Sequence, residues 1–361
     1  MQTKAYKKIV VKVGSNVITR ADGFPDTNRI ANLVTQLAEL KRKGIQVVLV
    51  SSGAVASGRS IIKIKDKADP VAERQQLAAV GQIKLINTYA GLFEKQDMVC
   101  AQVLVTKGDF RDRRHYLNMQ GCVTNLLDNN IIPIVNENDV IAVTELMFTD
   151  NDELSGLIAS MISADALVLL TSVDGLYDGN PTNPDAKLIP VIDDTKTDFS
   201  FITQEKSSFG RGGMVTKSRM ASKMARVGVT VHVANGKTDN ILLQLMEGKK
   251  VGTVFVPAKT KSGVKRWVAH SDGYAKGAVV INNGALQALI GGGKAFSLLP
   301  VGIVKVEGNF EKGDIIKIVT EAGDFIGVGV AGYASYKALS RLGQKKQPAL
   351  IHYDYLYLNA E

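Results

Sequence analysis

Residues able to do chemistry fall in six short clusters, most of them where an apolar run ends. The first is Lys12-Val13-Gly14-Ser15-Asn16. Glycine lets a backbone approach a ligand closely, and the neighbouring N–H groups suit an anion. Lys12 then serves as a point charge on a phosphate, or it is a solvated lysine beside a turn. Ser51-Ser52-Gly53-Ala54 runs into a helix start, where carboxylate or phosphate oxygens are favoured. Ser52 would donate to such an oxygen, or simply cap the helix. Asn136-Glu137-Asn138-Asp139 follows the apolar run Ile131–Val135 and is expected outside the core. It suits the ammonium and carboxylate groups of an amino acid, or is a polar loop. Thr149-Asp150-Asn151-Asp152-Glu153 opens a helix. Its carboxylates either favour the helix N-terminus electrostatically or arrange lysines and Mg²⁺ around phosphates.

Two further clusters close the set. Thr171-Ser172-Val173-Asp174-Gly175-Leu176-Tyr177, with Asn180–Pro184 beyond it, closes another apolar run; its position suits a nucleotide-edge loop, while its composition is that of a turn. Gly210-Arg211-Gly212-Gly213-Met214-Val215-Thr216-Lys217 enters a helix and resembles an anion cradle. It lacks the spacing of a P-loop, and a flexible linker is its alternative. The four histidines, His115, His232, His270 and His352, stand outside all six clusters. Phosphoryl transfer needs positioning, a metal and cations more than covalent chemistry. An acceptor that is already a carboxylate needs no general base, so the missing histidine agrees with such a reaction.

The elements that must position these clusters alternate. Ile9–Val13 and Gln46–Val50 read as strands, with a helical period from Ile30 to Leu40 between them. Helical stretches follow at Val71–Lys95, Tyr116–Asp128, Glu153–Ser163, Thr216–Val227 and Asn240–Glu247. Strands interleave at Cys100–Val105, Ile131–Val135, Ala166–Leu170 and Thr230–Ala234. The expected fold class is α/β, an open, mainly parallel sheet sandwiched by helices, its strands buried on both faces. Short β-like pieces dominate beyond residue 250. The division expected is a large domain over 1–258, a polar linker over 259–265 and a small, mostly-β domain over 266–361.

Composition narrows the classes. With 361 residues, 45% apolar and 22% charged, the chain is not disordered. Two cysteines, Cys100 and Cys122, exclude a disulfide scaffold and are expected as buried thiols in a reducing compartment. No apolar run suggests a signal peptide or a membrane span, so a cytoplasmic location and no membrane partner are expected. The net charge of +9 suits anionic partners. Residues 266–361 hold only 10 basic and 8 acidic residues, so the excess sits in the large domain. Small anions are therefore preferred over RNA as the main partner.

The ordered pieces VVKVGSNVIT, VSSGAVASGR, LAAVGQ, DNNIIPIVNENDVIA, TDNDELSGLIA, DGLY and GRGGMVTK resemble the amino acid kinase family, in its glutamate-phosphorylating branch. The segment Lys276–Asp314 is similar to the PUA domain that many such kinases carry. The resemblance implies ATP-dependent phosphorylation of the side-chain carboxylate of L-glutamate, the first step of proline biosynthesis. It implies Lys12 and Lys217 flanking the phosphates, with Asp152 organising them. Ser52, Asp139 and Asn151 would hold glutamate. Lys12, Thr171, Ser172 and the loop Arg211, Gly212, Gly213, Met214, Val215, Thr216 and Lys217 would border ATP, with Mg²⁺ carried by the nucleotide. The resemblance also implies feedback inhibition by proline, a homo-oligomer, and coupling to glutamate-5-semialdehyde dehydrogenase. Two departures stand out: Ser172 replaces the family's Asp, and Arg211 replaces its Thr.

Overall fold

The computed structural model describes residues 6–64, 69–142, 148, 150–180, 183, 185–193, 214–258, 268, 275–290 and 296–358. The expectations for the linker 259–265, for Thr149 and for Arg211, Gly212 and Gly213 lie outside the described residues.

The first half builds β1 (Lys8–Val13), α1 (Ser15–Ile18), α2 (Thr27–Arg42), β2 (Gln46–Ser51), α3 (Ala54–Arg59), α4 (Pro70–Glu94), β3 (Cys100–Val105), α5 (Lys107–Arg111), α6 (Arg113–Asp128) and β4 (Ile132–Glu137). Then come α7 (Asn151–Met161), β5 (Ala166–Thr171), β6 (Val191–Ile192), α8 (Met214–Arg226), β7 (Thr230–Asn235), α9 (Ile241–Met246) and β8 (Thr253–Phe255). The helix starts are written locally. Asp26 caps α2 by accepting from the Asn28 and Arg29 backbone N–H groups. Asp69 caps α4 with Pro70 in its first turn.

The strands form an eight-stranded sheet in the order β3-β4-β2-β1-β5-β7-β8-β6. Neighbours run parallel except β7 and β8, which pair antiparallel. β1 lies at the centre, between β2 and β5, with Lys12 facing Val50 on one side and Leu169 on the other. Ile9, Val10, Val11 and Val13 are all fully buried, so both faces of this strand are covered. Each such side chain contributes about 1.5–3 kcal/mol relative to exposure.

Three expectations need correction. Asn136 and Glu137 are not beyond the strand but inside β4, and both are buried. Polar atoms tolerate that because they find partners, as shown below. β3 is an edge strand with alternate exposed residues, not a strand covered on both faces. The cysteines are not buried: Cys100, on that edge, is half-buried, and Cys122 is exposed on α6.

The chain divides into two compact units, Met1–Asp109 with Leu117–Thr260, and Phe110–Tyr116 with Lys261–Glu361. The second unit holds a five-stranded sheet, β10-β9-β11-β12-β13, from Gly277–Ile281 (β9), Ile303–Gly308 (β10), Ile315–Thr320 (β11), Phe325–Val330 (β12) and Leu356–Leu358 (β13). It has its own core, including Val279, Ile281, Leu298, Ile316, Ile318, Leu350 and Ile351.

Candidate active site

Lys12 is carried to the carboxyl end of the central strand, where ligands gather in open α/β sheets. Asp152 enters from the first turn of α7, and Lys217 from the first turn of α8. Their side chains converge. Lys12 Nζ lies 2.7 Å from Asp152 Oδ1, and Lys217 Nζ lies 3.1 Å from Asp152 Oδ2. Asp152 is only 1% exposed. Burial alone pushes its carboxyl upward, but the two ammonium groups outweigh it and hold the group below the usual carboxylate range. The helix N-terminus adds favourable field for that anion.

Asp150 caps α7, its Oδ1 accepting from the backbone N–H groups of Asp152 and Glu153. Its Oδ2 is buried without a hydrogen-bond partner among the described residues. Burial, with the adjacent Asp152 charge, raises this carboxyl above its ordinary value. Two neighbouring acids thus titrate in opposite directions.

A second cluster lies beside the first. Asn151 Nδ2 donates to Ser52 Oγ at 2.9 Å and to Asn136 Oδ1 at 3.2 Å. Asn136 Nδ2 donates to Gln82 Oε1 at 3.1 Å. Arg74, on α4, donates to Asp139 through Nε at 3.2 Å and places Nη2 3.6 Å from Glu137 Oε2. Glu137 Oε1 accepts from the Phe148 backbone N–H at 2.7 Å. Gly53 turns the chain here with φ +112°, a conformation that glycine adopts without strain.

Both clusters open on one cavity of about 540 Å³. Its walls bring together Lys12, Ser52, Asp139, Asn151, Asp152, Thr171, Ser172 and Lys217, which the sequence had marked. Met214, Val215 and Thr216 form the first turn of α8 and do not line it. No histidine lines it either. His232 sits on β7, where its Nε2 meets the Tyr6 hydroxyl at 2.9 Å and burial pushes its pKa down to about 4. Sequence reasoning missed Arg59, Glu73 and Arg74 in the cavity wall. A signal for Arg74 existed: it shares the helical stripe of Leu77, Ala78, Gly81 and Leu85, a charge on an otherwise apolar face.

Chemically, the wall offers two lysines at one end and hydroxyl, amide and carboxylate groups beside them. That suits a phosphate chain meeting a small polar acceptor. Residues 7–235 match the model of the amino acid kinase family, and residues 277–347 match the PUA domain. The chain belongs to the amino acid kinase family. It is 53% identical to the glutamate 5-kinase of Chlorobaculum tepidum, with 99% of each chain covered. It is 50% identical to the glutamate 5-kinase of Bacteroides thetaiotaomicron, covering 98% of this chain and 99% of that one. Within the family it therefore stands among the glutamate 5-kinases. A solved isopentenyl phosphate kinase in complex with substrate is similar in fold, with a TM-score of 0.51 at 21% identity, covering 69% of this chain and 99% of that one. Among the described residues no helix is long and apolar enough to cross a membrane.

Proposed function

We propose that this chain transfers the γ-phosphoryl group of ATP to the side-chain carboxylate of L-glutamate, giving ADP and L-glutamyl 5-phosphate. The observation that carries the reading is the buried Lys12–Asp152–Lys217 bridge at the cavity end. A carboxylate oxygen attacks the γ-phosphorus while the bond to the β,γ-bridging oxygen breaks, and that oxygen leaves on ADP. No proton has to be removed, because a carboxyl group is ionised at neutral pH. The lysines offset the charge that spreads over the transferring group, and Asp152 holds both in place.

Ser52, Asn151 and Asp139 are suited to glutamate, through a hydroxyl donor, an amide and a carboxylate for the ammonium group. Thr171 and Ser172 are suited to the nucleotide edge, with Arg211 to Thr216 leading up to Lys217. Among the described residues no group of three or more acidic, histidine or cysteine side chains could hold a metal by itself. Mg²⁺ is best supported as arriving on ATP, where it would screen phosphate charge. Inhibition by proline, self-association and hand-over of the labile acyl phosphate to glutamate-5-semialdehyde dehydrogenase complete the proposal on family resemblance. A cytoplasmic location goes with it.

The test is ADP release with Mg-ATP. Turnover is expected with L-glutamate and not with aspartate or N-acetylglutamate. Lys217→Ala is expected to lower kcat by about 10²-fold or more with little change in glutamate KM. No glutamate-dependent turnover overturns the function, and an unchanged kcat overturns the role of Lys217.

A further inference from the structure

Glutamate brings three charged groups into the cavity, and the reading above gives charged partners to two. The side-chain carboxylate goes to the transferring phosphoryl group between Lys12 and Lys217, and the ammonium group goes to Asp139. The α-carboxylate is left with neutral groups, although an anion taken out of water is costly unless a cation meets it. Among the described residues four cations line the cavity: Lys12, Arg59, Arg74 and Lys217. Lys12 and Lys217 are tied to Asp152 at the transfer end.

Arg74 stands beside Asp139. Its Nε and Nη2 both donate to Asp139, and Nη2 lies 3.6 Å from Glu137 Oε2. Glu137 is buried and is itself held by the Phe148 backbone N–H, so it anchors the guanidinium from inside the fold. These bonds use one edge of the guanidinium. Nη1 makes no hydrogen bond among the described residues. The donors and acceptors here have fixed sense: an arginine only donates and an ionised carboxylate only accepts. The wall therefore carries an oriented pair, positive at Arg74 and negative at Asp139. An α-amino acid carries the complementary pair on one carbon. Laid antiparallel, its ammonium meets Asp139 and its α-carboxylate meets the Nη1 edge of Arg74, whose planar fork suits a carboxylate.

We propose that Arg74 is a specificity residue for the acceptor: its Nη1 edge binds the α-carboxylate, so that Arg74 and Asp139 together select the α-amino acid end while the far carboxylate is phosphorylated. The inference rests on the reading that glutamate is the acceptor and that Asp139 takes its ammonium group.

The test compares L-glutamate with its α-amide, L-isoglutamine, in ADP release at pH 7 by full-length protein. The amide keeps the amino group and the reacting carboxylate and loses only the α-charge. The parent is expected to prefer glutamate by about 100-fold in kcat/KM. Arg74→Met should lose most of its turnover of glutamate and little of its turnover of the amide, so the preference falls to within about threefold. Arg59→Met should keep the preference. A merely structural role for Arg74 would lower both substrates together and leave the ratio at the parent value, which overturns the proposal. So does a preference that collapses in Arg59→Met instead. Should Arg74→Met fail to fold, Arg74→Lys decides: a point charge without the fork is expected to cut the preference about tenfold, and an unchanged preference overturns the proposal. A parent that uses both substrates equally well also overturns it, while the glutamate reading stands. A parent that turns over neither overturns that reading and the inference with it.

Discussion

Asp150 and Asp152 stand two residues apart on the same helix end and experience opposite surroundings. Asp152 is buried but bridged by two ammonium groups, so its charge is favoured. Removing one partner of such a bridge leaves an uncompensated buried charge, a cost of about 3–5 kcal/mol. Among the described residues Asp150 has no such ion pair, and burial and the Asp152 charge outweigh the more distant pull of Lys12 and Lys217, so its charged form is disfavoured. The linkage signs follow. A lowered acid pKa contributes stability that is present above the unfolded value and is lost as pH falls through the folded one. A raised acid pKa does the reverse: its contribution is present below the unfolded value and lost as pH rises through the folded one. Asp150 therefore costs stability at neutral pH. Asp150→Asn keeps the cap, since the asparagine oxygen accepts the same two N–H groups, and removes the repulsion. It is expected to raise stability by about 0.5–1 kcal/mol at pH 7, with the gain shrinking as pH falls. Thermal unfolding across pH checks this, and a lower Tm at pH 7 counts against it.

At the scale of elements, the acceptor side of the cavity depends on how closely α3 lies against α4. A Cβ on Gly81 would stand 1.8 Å from the Ala54 carbonyl oxygen and 2.3 Å from the Gly58 nitrogen. One on Gly58 would stand 2.0 Å from the Leu77 carbonyl oxygen. These are backbone atoms and cannot turn aside. Gly91, on the same helix, has nothing within 4 Å of such an atom. Gly81→Ala is expected to destabilise by about 1–3 kcal/mol and, by shifting α3 and the adjoining Ser52-Gly53, to raise glutamate KM. Gly91→Ala is expected to stabilise by about 0.5–1 kcal/mol and leave KM alone. Chemical denaturation with kinetics separates them, and matching effects at both positions would sink the packing argument.

These helices also show what a sequence reveals and what it hides. Apolar runs such as Ile9–Val13 and the helical period of α2 were legible because each follows from local burial. Lys12, Asp152 and Lys217 were legible as chemistry at element ends, and the family resemblance brought them together. Asn136 and Glu137 were not legible as buried, because their partners, Gln82, Asn151 and Arg74, come from other elements. The small residues of LAAVGQ gave no hint that Gly81 meets the backbone of another helix. Contacts between distant segments leave no period in either one.

At the scale of the whole molecule, the cavity wall draws on residues from Lys12 to Lys217, all in the first unit, while the second unit has a separate sheet and core. The first unit is not complete at the last matched family residue, 235. β8 lies between β7 and β6, with Val231 opposite Phe255 and Val233 opposite Thr253. Phe255 is fully buried. Thr253 Oγ1 accepts from the Leu176 backbone N–H at 2.8 Å and donates to the Ile189 carbonyl at 2.7 Å. Losing that strand removes a ladder, a large core side chain and two buried hydrogen bonds at once. Phe→Ala alone costs about 3–5 kcal/mol in a core, against a typical total of about 5–15 kcal/mol. A chain ending after Ala258 is therefore expected to fold and to keep glutamate-dependent turnover of the same order as the full chain. One ending after Lys249 is expected to lose the cooperative unfolding transition and the activity together. Calorimetry with the ADP-release assay decides between them. If the chain ending at Ala258 fails to fold, the catalytic unit does not end there and the proposed division at residue 258 is wrong.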